Sequence, residues 1–183
     1  VVISAEHYLR YGMMGADVLS NLTGAASARG LYAIVDCRTT RPELWLDSPM
    51  TGDGLTVMPY VGGDCVPQGT DKAIFAVVRT ANESAGDVQN LIAGDRPLYA
   101  AVAQQMARQG AALVVETGYS LDIREVRKRA ADAFLLLPYC DGQNAAPAFD
   151  DLGHGAMVVD YDLQYGGDVD AAVQEMKAWV TVL

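Results

Sequence analysis

The chain has 183 residues, is 51% hydrophobic and 20% charged, and carries a formal net charge of −10. That length and apolar content suffice for a domain with a buried core. The acidic balance, with no basic run, argues against a groove that binds nucleic acid by neutralising phosphates and against an anionic membrane surface.

Ser4 is placed to cap a first helix reaching about Leu22, because Leu9, Met13, Ala16, Leu19 and Leu22 form one apolar stripe. Gly24 and Gly30 bracket its end. Leu31 to Cys37 reads as a buried strand. Glu43 to Asp47 alternates polar and apolar residues, as a half-exposed strand does. Ser48 to Gly54 is turn-rich, and Leu55 to Val61 reads as a returning strand that Pro59 confines to an edge or a bulge. Lys72 to Arg79 is a further buried strand. Asp95-Arg96-Pro97 has the pattern of a helix start, and Gly110 that of the matching helix end.

The stretch Ala111 to Gly142 is the most informative. It reads as strand, amphipathic helix and strand in about the minimum length of a parallel crossover. Asp122 and Glu125 have the spacing of a capping box, Ile123, Val126, Ala130 and Phe134 face inward, and Arg124, Arg127, Lys128 and Arg129 form a solvated basic face. Gly155 to Asp160 reads as a last strand, and Asp168 caps a C-terminal helix with Val169, Ala172, Val173, Met176, Trp179 and Val180 on one face. The expected fold is α/β, a mostly parallel sheet with flanking helices, with room for an antiparallel hairpin insertion around 43–61. The pattern marks no domain boundary, so residues 1–183 read as a single α/β domain. The Val1-Val2-Ile3 start and the apolar end fit a segment of a longer polypeptide.

Several expected strands run out into acids. In a parallel sheet these converge on the carboxyl edge, where open α/β sheets bind ligands. Glu116, Asp141 and His154 are the candidate catalytic groups, His154 because its flanking glycines leave an imidazole room to approach a substrate. Asp36, Asp160 and Asp162 are candidate ligands for Mg²⁺, which prefers oxygen donors. Asp160-Tyr161-Asp162 after an apolar strand resembles the DxD placement of nucleotide-sugar transferases. Neither GxGxxG nor GxxxxGK[ST] nor GxSxG occurs, so ordinary dinucleotide, P-loop and serine-hydrolase chemistry is not expected. Cys37, Cys65 and Cys140 form no CxxC pair, which favours free thiols in a reducing intracellular compartment or a virion.

Two readings follow. The favoured one is a structural or assembly protein, such as a segment of a viral capsid or another large homomeric particle. It rests on the low charge, on nine tyrosines and two tryptophans suited to contact surfaces, and on the absence of a complete catalytic signature. It implies self-association or neighbouring subunits as partners, no sequence-specific nucleic acid, no membrane and no cofactor. The alternative is a metal-dependent α/β enzyme using Mg²⁺ on a small or phosphorylated substrate at the carboxyl edge.

Overall fold

The computed structural model describes residues 1–140 and 142–159. The chain separates into two compact units, Val1–Ala76 and a second beginning at Val77.

In the first unit, β1 (Val2–Ser4) leads directly into α1 (Ala5–Leu9), and α2 (Met13–Ala28) follows after a break. β2 (Ile34–Thr39), β3 (Gly54–Val57) and β4 (Ala73–Arg79) complete it, β4 crossing the boundary between units. Each strand pairs with the next in parallel, with Ile3 opposite Val35, Val35 opposite Leu55, and Leu55 opposite Ile74. Ala5, Leu19 and Val35 are fully buried, and Ile3, Tyr8, Leu9, Cys37, Trp45 and Met50 pack around them.

The long first helix expected from the apolar stripe is two helices. Of the stripe, Leu19 is buried but Met13 is 85% exposed and Leu22 also faces outward. The buried face of α2 is Gly15, Leu19, Thr23 and Ala26. Gly12 takes φ 64, outside any right-handed helix. The break brings α2 back onto α1 so closely that a Cβ on Gly15 would lie 1.7 Å from the Tyr8 carbonyl oxygen. Gly15→Ala is therefore expected to destabilise the fold by about 2 kcal/mol through overpacking, despite alanine's better helix propensity. Thermal melting should show a fall of roughly 4–8 °C, and an unchanged Tm would mean that the two helices separate freely.

The hairpin expected around 43–61 is absent. Pro42 opens a short 3-10 turn over Pro42–Leu44, and Leu44 stays exposed, so the alternation over 43–47 marks no strand. β3 runs parallel to β2, and Pro59 ends it by starting another 3-10 turn.

In the second unit, α3 (Ala85–Gln89) precedes a two-stranded antiparallel ribbon, β5 (Ile92–Ala93) with β6 (Arg96–Pro97). Pro97 is the residue before α4 (Leu98–Arg108), so the helix starts two residues later than the sequence pattern, with Asp95 as its cap, placed it. The crossover is present as expected: β7 (Ala112–Val115), α5 (Ser120–Arg129) and β8 (Leu135–Pro138), with Leu113 opposite Leu135 in parallel register. Leu113, Val115, Ile123, Val126, Leu135 and Leu137 are fully buried, which is what a sheet strand covered by an amphipathic helix requires. α6 (Gly142–Ala145) and a 3-10 turn lead to β9 (Ala156–Val159), parallel to β8.

The strand order is β1-β2-β3-β4-β7-β8-β9, a mostly parallel seven-stranded sheet with helices, plus the small antiparallel ribbon. No described helix is long and apolar enough to cross a membrane. The expected C-terminal helix and the residues Asp141, Asp160 and Asp162 lie outside the described residues.

Two expectations for α5 are corrected. No side chain caps its N-terminus, and Asp122 instead accepts hydrogen bonds from other elements. The basic face is only partly solvated. Arg127 is half-buried among backbone carbonyls, and Arg129 pairs with Glu125 and Asp95.

Candidate functional site

In the first unit the polar chemistry gathers at the carboxyl ends of β2 and β3. Asp36 and Arg38 are two residues apart on β2, within its register shift between Val35 and Thr39. The Arg38 guanidinium donates to Asp36, with Nε 3.3 Å from Oδ1 and Nη2 3.3 Å from Oδ2. Thr56, buried on β3, donates from Oγ1 to Asp36 Oδ1 at 2.7 Å and accepts the Arg38 backbone N–H at 2.8 Å. Arg38 has φ 44. A long side chain in the left-handed region is strained, and such strain gathers at functional sites. The cluster therefore fixes a carboxylate and a guanidinium side by side at a strand end, where parallel α/β proteins place their chemistry. Cys37 supplies no nucleophile, since burial pushes its thiol up to about 11.

In the second unit a polar network joins the ends of β4 and β7. Arg79 Nε lies 3.1 Å from Asp122 Oδ2, and its guanidinium stacks 5.2 Å from the centre of the Tyr99 ring. Arg79 Nη1 and the Thr80 backbone N–H both donate to Gln89 Oε1 at 3.1 Å. Thr117 Oγ1 donates to Asp122 Oδ2 at 3.1 Å. Burial, with Asp122 beside it, pushes the Tyr99 phenol up to about 12 and keeps it protonated.

The expected site residues divide as follows. Asp36 stands in the first-unit cluster, engaged by Arg38 and Thr56. Among the described residues no three His, Cys, Asp or Glu side chains are grouped to hold a metal ion. Glu116 follows β7 and is buried, with Oε2 accepting the Ala81 backbone N–H at 3.3 Å, so it braces the chain leaving β4. His154 is not brought to Glu116. It precedes β9 and therefore lies at the amino ends of the parallel strands, exposed, with Nδ1 3.9 Å from Asp150 Oδ2. Sequence reasoning passed over Arg38, Thr56, Arg79, Gln89 and Tyr99. The one legible signal was an arginine two positions after Asp36 at the end of an expected strand.

The fold defines the class: a TIM-barrel-like parallel α/β protein with its polar clusters at strand ends. An OMP decarboxylase from Leishmania donovani superposes with a TM-score of 0.85, covering 99% of this chain and 79% of that one at 24% identity. One from Streptomyces avermitilis, described as a putative orotidine 5'-phosphate decarboxylase, gives a TM-score of 0.79 over 98% of this chain and 76% of that one, at 23% identity.

Sequence relatives point the same way. The chain is 35% identical over 166 residues to the orotidine 5'-phosphate decarboxylase of Roseiflexus sp., covering 85% of this chain and 47% of that protein. It is 25% identical over 162 residues to the Clostridium novyi enzyme of the same name, covering 74% of this chain and 56% of that protein. The chain thus spans about half the length of these curated relatives. No protein-family model matches it.

These findings overturn the expectation of a structural, capsid or virion protein. That expectation rested on low charge and missing motifs, and both are equally compatible with an enzyme whose site residues come singly from separate strands.

Proposed function

We propose that this chain carries part of an orotidine 5'-phosphate decarboxylase and acts on a pyrimidine nucleoside monophosphate at the carboxyl ends of its strands. The observation that carries the reading is the 35% identity to the Roseiflexus enzyme across 85% of the chain. In the reaction the bond between the ring carbon and the carboxylate breaks, carbon dioxide leaves, and the electron pair stays on the ring carbon. A proton from water then completes the new C–H bond. The first-unit cluster supports a part of this chemistry. Arg38, held against Asp36 at a strand end, is a fixed cation that can stabilise negative charge as it develops. A guanidinium does not readily give up its proton, so its role here is electrostatic.

No electrons pass to an acceptor in this reaction, so the reading keeps the expectation that no cofactor is needed. It gives Mg²⁺ no role, since the Asp36 carboxylate is already engaged by Arg38 and Thr56. Self-association belongs to the proposal, as does the lack of a nucleic-acid or membrane partner, which the net charge of −10 supports. A reducing intracellular compartment also belongs to it, in keeping with the free thiols of Cys37 and Cys65.

Two measurements on the 183-residue chain test the reading. Orotidine 5'-phosphate labelled at its carboxylate should release labelled carbon dioxide faster with the protein than without it. Titration calorimetry should show UMP binding. Binding without release would keep the ligand class and remove the decarboxylase; loss of both would remove the whole reading.

A further inference from the structure

We propose that Tyr119 and Tyr139 form a platform on which a planar heteroaromatic ring, the base of the nucleotide, stacks. The proposal rests on the nucleotide reading above and adds to it a binding element in the second unit.

The two tyrosines follow neighbouring strands of that unit. Leu113 pairs with Leu135 and Val114 with Leu136 in parallel, so the two strands end on the same side of the sheet. Tyr139 is the first residue after β8, and Tyr119 follows β7 by four residues. Both therefore leave the carboxyl ends of adjacent strands, which lie about 4.8 Å apart. Around them the strand ends are closed: Glu116, Thr117 and Cys140 are buried. Tyr119 and Tyr139 stand out of this floor, 73% and 54% exposed.

The backbone of each is set independently of ring burial. Tyr139 adopts φ 63, a conformation that costs a bulky residue and costs glycine nothing. More than half of the residue remains exposed, so the ring is accessible to a ligand. Backbone strain of this kind gathers at ligand-binding positions. At Tyr119 the backbone N–H donates to Thr117 Oγ1 at 3.1 Å, and the same hydroxyl donates to Asp122, which Arg79 holds. A ring on a braced loop loses little freedom when a ligand stacks on it, and tyrosine offers a large flat face with few rotatable bonds.

The test compares UMP with ribose 5-phosphate, which carries the phosphate and sugar without the base. Titration calorimetry is run on the unsubstituted chain and on the Tyr119→Ala, Tyr139→Gly, Tyr119→Phe and Tyr139→Phe variants. Tyr119→Ala and Tyr139→Gly should each weaken UMP about tenfold, the scale of one lost base–aromatic stack. They should leave ribose 5-phosphate unchanged, and both phenylalanine variants should retain UMP affinity. Equal weakening of both ligands, or unchanged UMP affinity, would overturn the platform while the nucleotide reading stands. An unsubstituted chain that binds neither compound would overturn the reading and the platform together.

Discussion

Asp36→Ala is expected to reduce any decarboxylation of orotidine 5'-phosphate by at least about a hundredfold, the scale of losing one preorganised electrostatic group. The substitution removes the acceptor shared by Arg38 and Thr56. Arg38 then loses the Asp36 anchor of its guanidinium at the strand end, and the buried Thr56 hydroxyl loses its 2.7 Å partner. The Asp36 side chain is 12% exposed and that of Arg38 33%, so solvent screens the pair only in part. The stability cost should be about 2 kcal/mol, a Tm lower by roughly 4–8 °C. Asp36→Asn separates charge from hydrogen bonding. It keeps an acceptor for Thr56, so the Tm should fall by less than for alanine, while turnover should fall nearly as far. Turnover within threefold of the unsubstituted chain in both variants would show that the cluster is structural only. Arg38→Gly supplies a further comparison, because it removes the cation and also the strain at φ 44. Its Tm should therefore fall less than that of Asp36→Ala, with turnover lost all the same.

The parts of the fold that could be read from the sequence are those in which local pattern and tertiary burial agree. Ala111 to Gly142 is the clearest case: Ile123 and Val126 recur at helical spacing between two apolar runs and are buried with both strands, although Phe134, expected on the same inward face, lies beyond the end of α5 and is exposed. Where the two disagree, the pattern misleads. The stripe from Leu9 to Leu22 runs straight across the Gly12 break, because periodicity registers which face is apolar and not whether the backbone continues. Glu43 to Asp47 alternates like a strand, but Pro42 opens a 3-10 turn there. Asp122 has capping-box spacing, yet Arg79, Tyr99 and Thr117 reach it from other elements. The candidate site was half legible. A carboxylate at a strand end, Asp36, is visible as such. Its partner Thr56 lies twenty positions on, and only the parallel register of β2 and β3 brings the two together. Glu116 was read as a catalytic acid, and its burial and its bond to the Ala81 N–H are visible only in the folded chain.

The second large effect is expected at Arg127, on the face of α5 that the sequence marks as solvated. Its Nη1 donates to the carbonyls of Ala131 at 2.8 Å and Ala133 at 2.7 Å, and Nη2 donates to those of Ala148 and of Gly155, the latter at 3.2 Å. One guanidinium thus ties together the end of α5, the loop before β8 and the turn before β9. Burial lowers its pKa from the usual guanidinium value, with Asp132 and Asp150 opposing that shift. Arginine's fixed fork can serve four diverging carbonyls where an ammonium cannot. Arg127→Met preserves the aliphatic length and leaves those carbonyls without their donor. Hydrogen bonds to a charged group contribute about 1.5–3 kcal/mol each, and water recovers part of that at a half-buried site. A net loss of about 4 kcal/mol follows, or a Tm lower by roughly 8–16 °C. Arg127→Lys should fall between the two, because it keeps the charge and supplies fewer donors. Amide exchange should localise the change, with faster exchange over 148–155 in Arg127→Met and little change in the first unit. A Tm within 2 °C of the unsubstituted chain, a threshold of about 1 kcal/mol or less, would show that these carbonyls are satisfied by water alone. Lysine and methionine falling equally would assign the effect to shape and not to the donors.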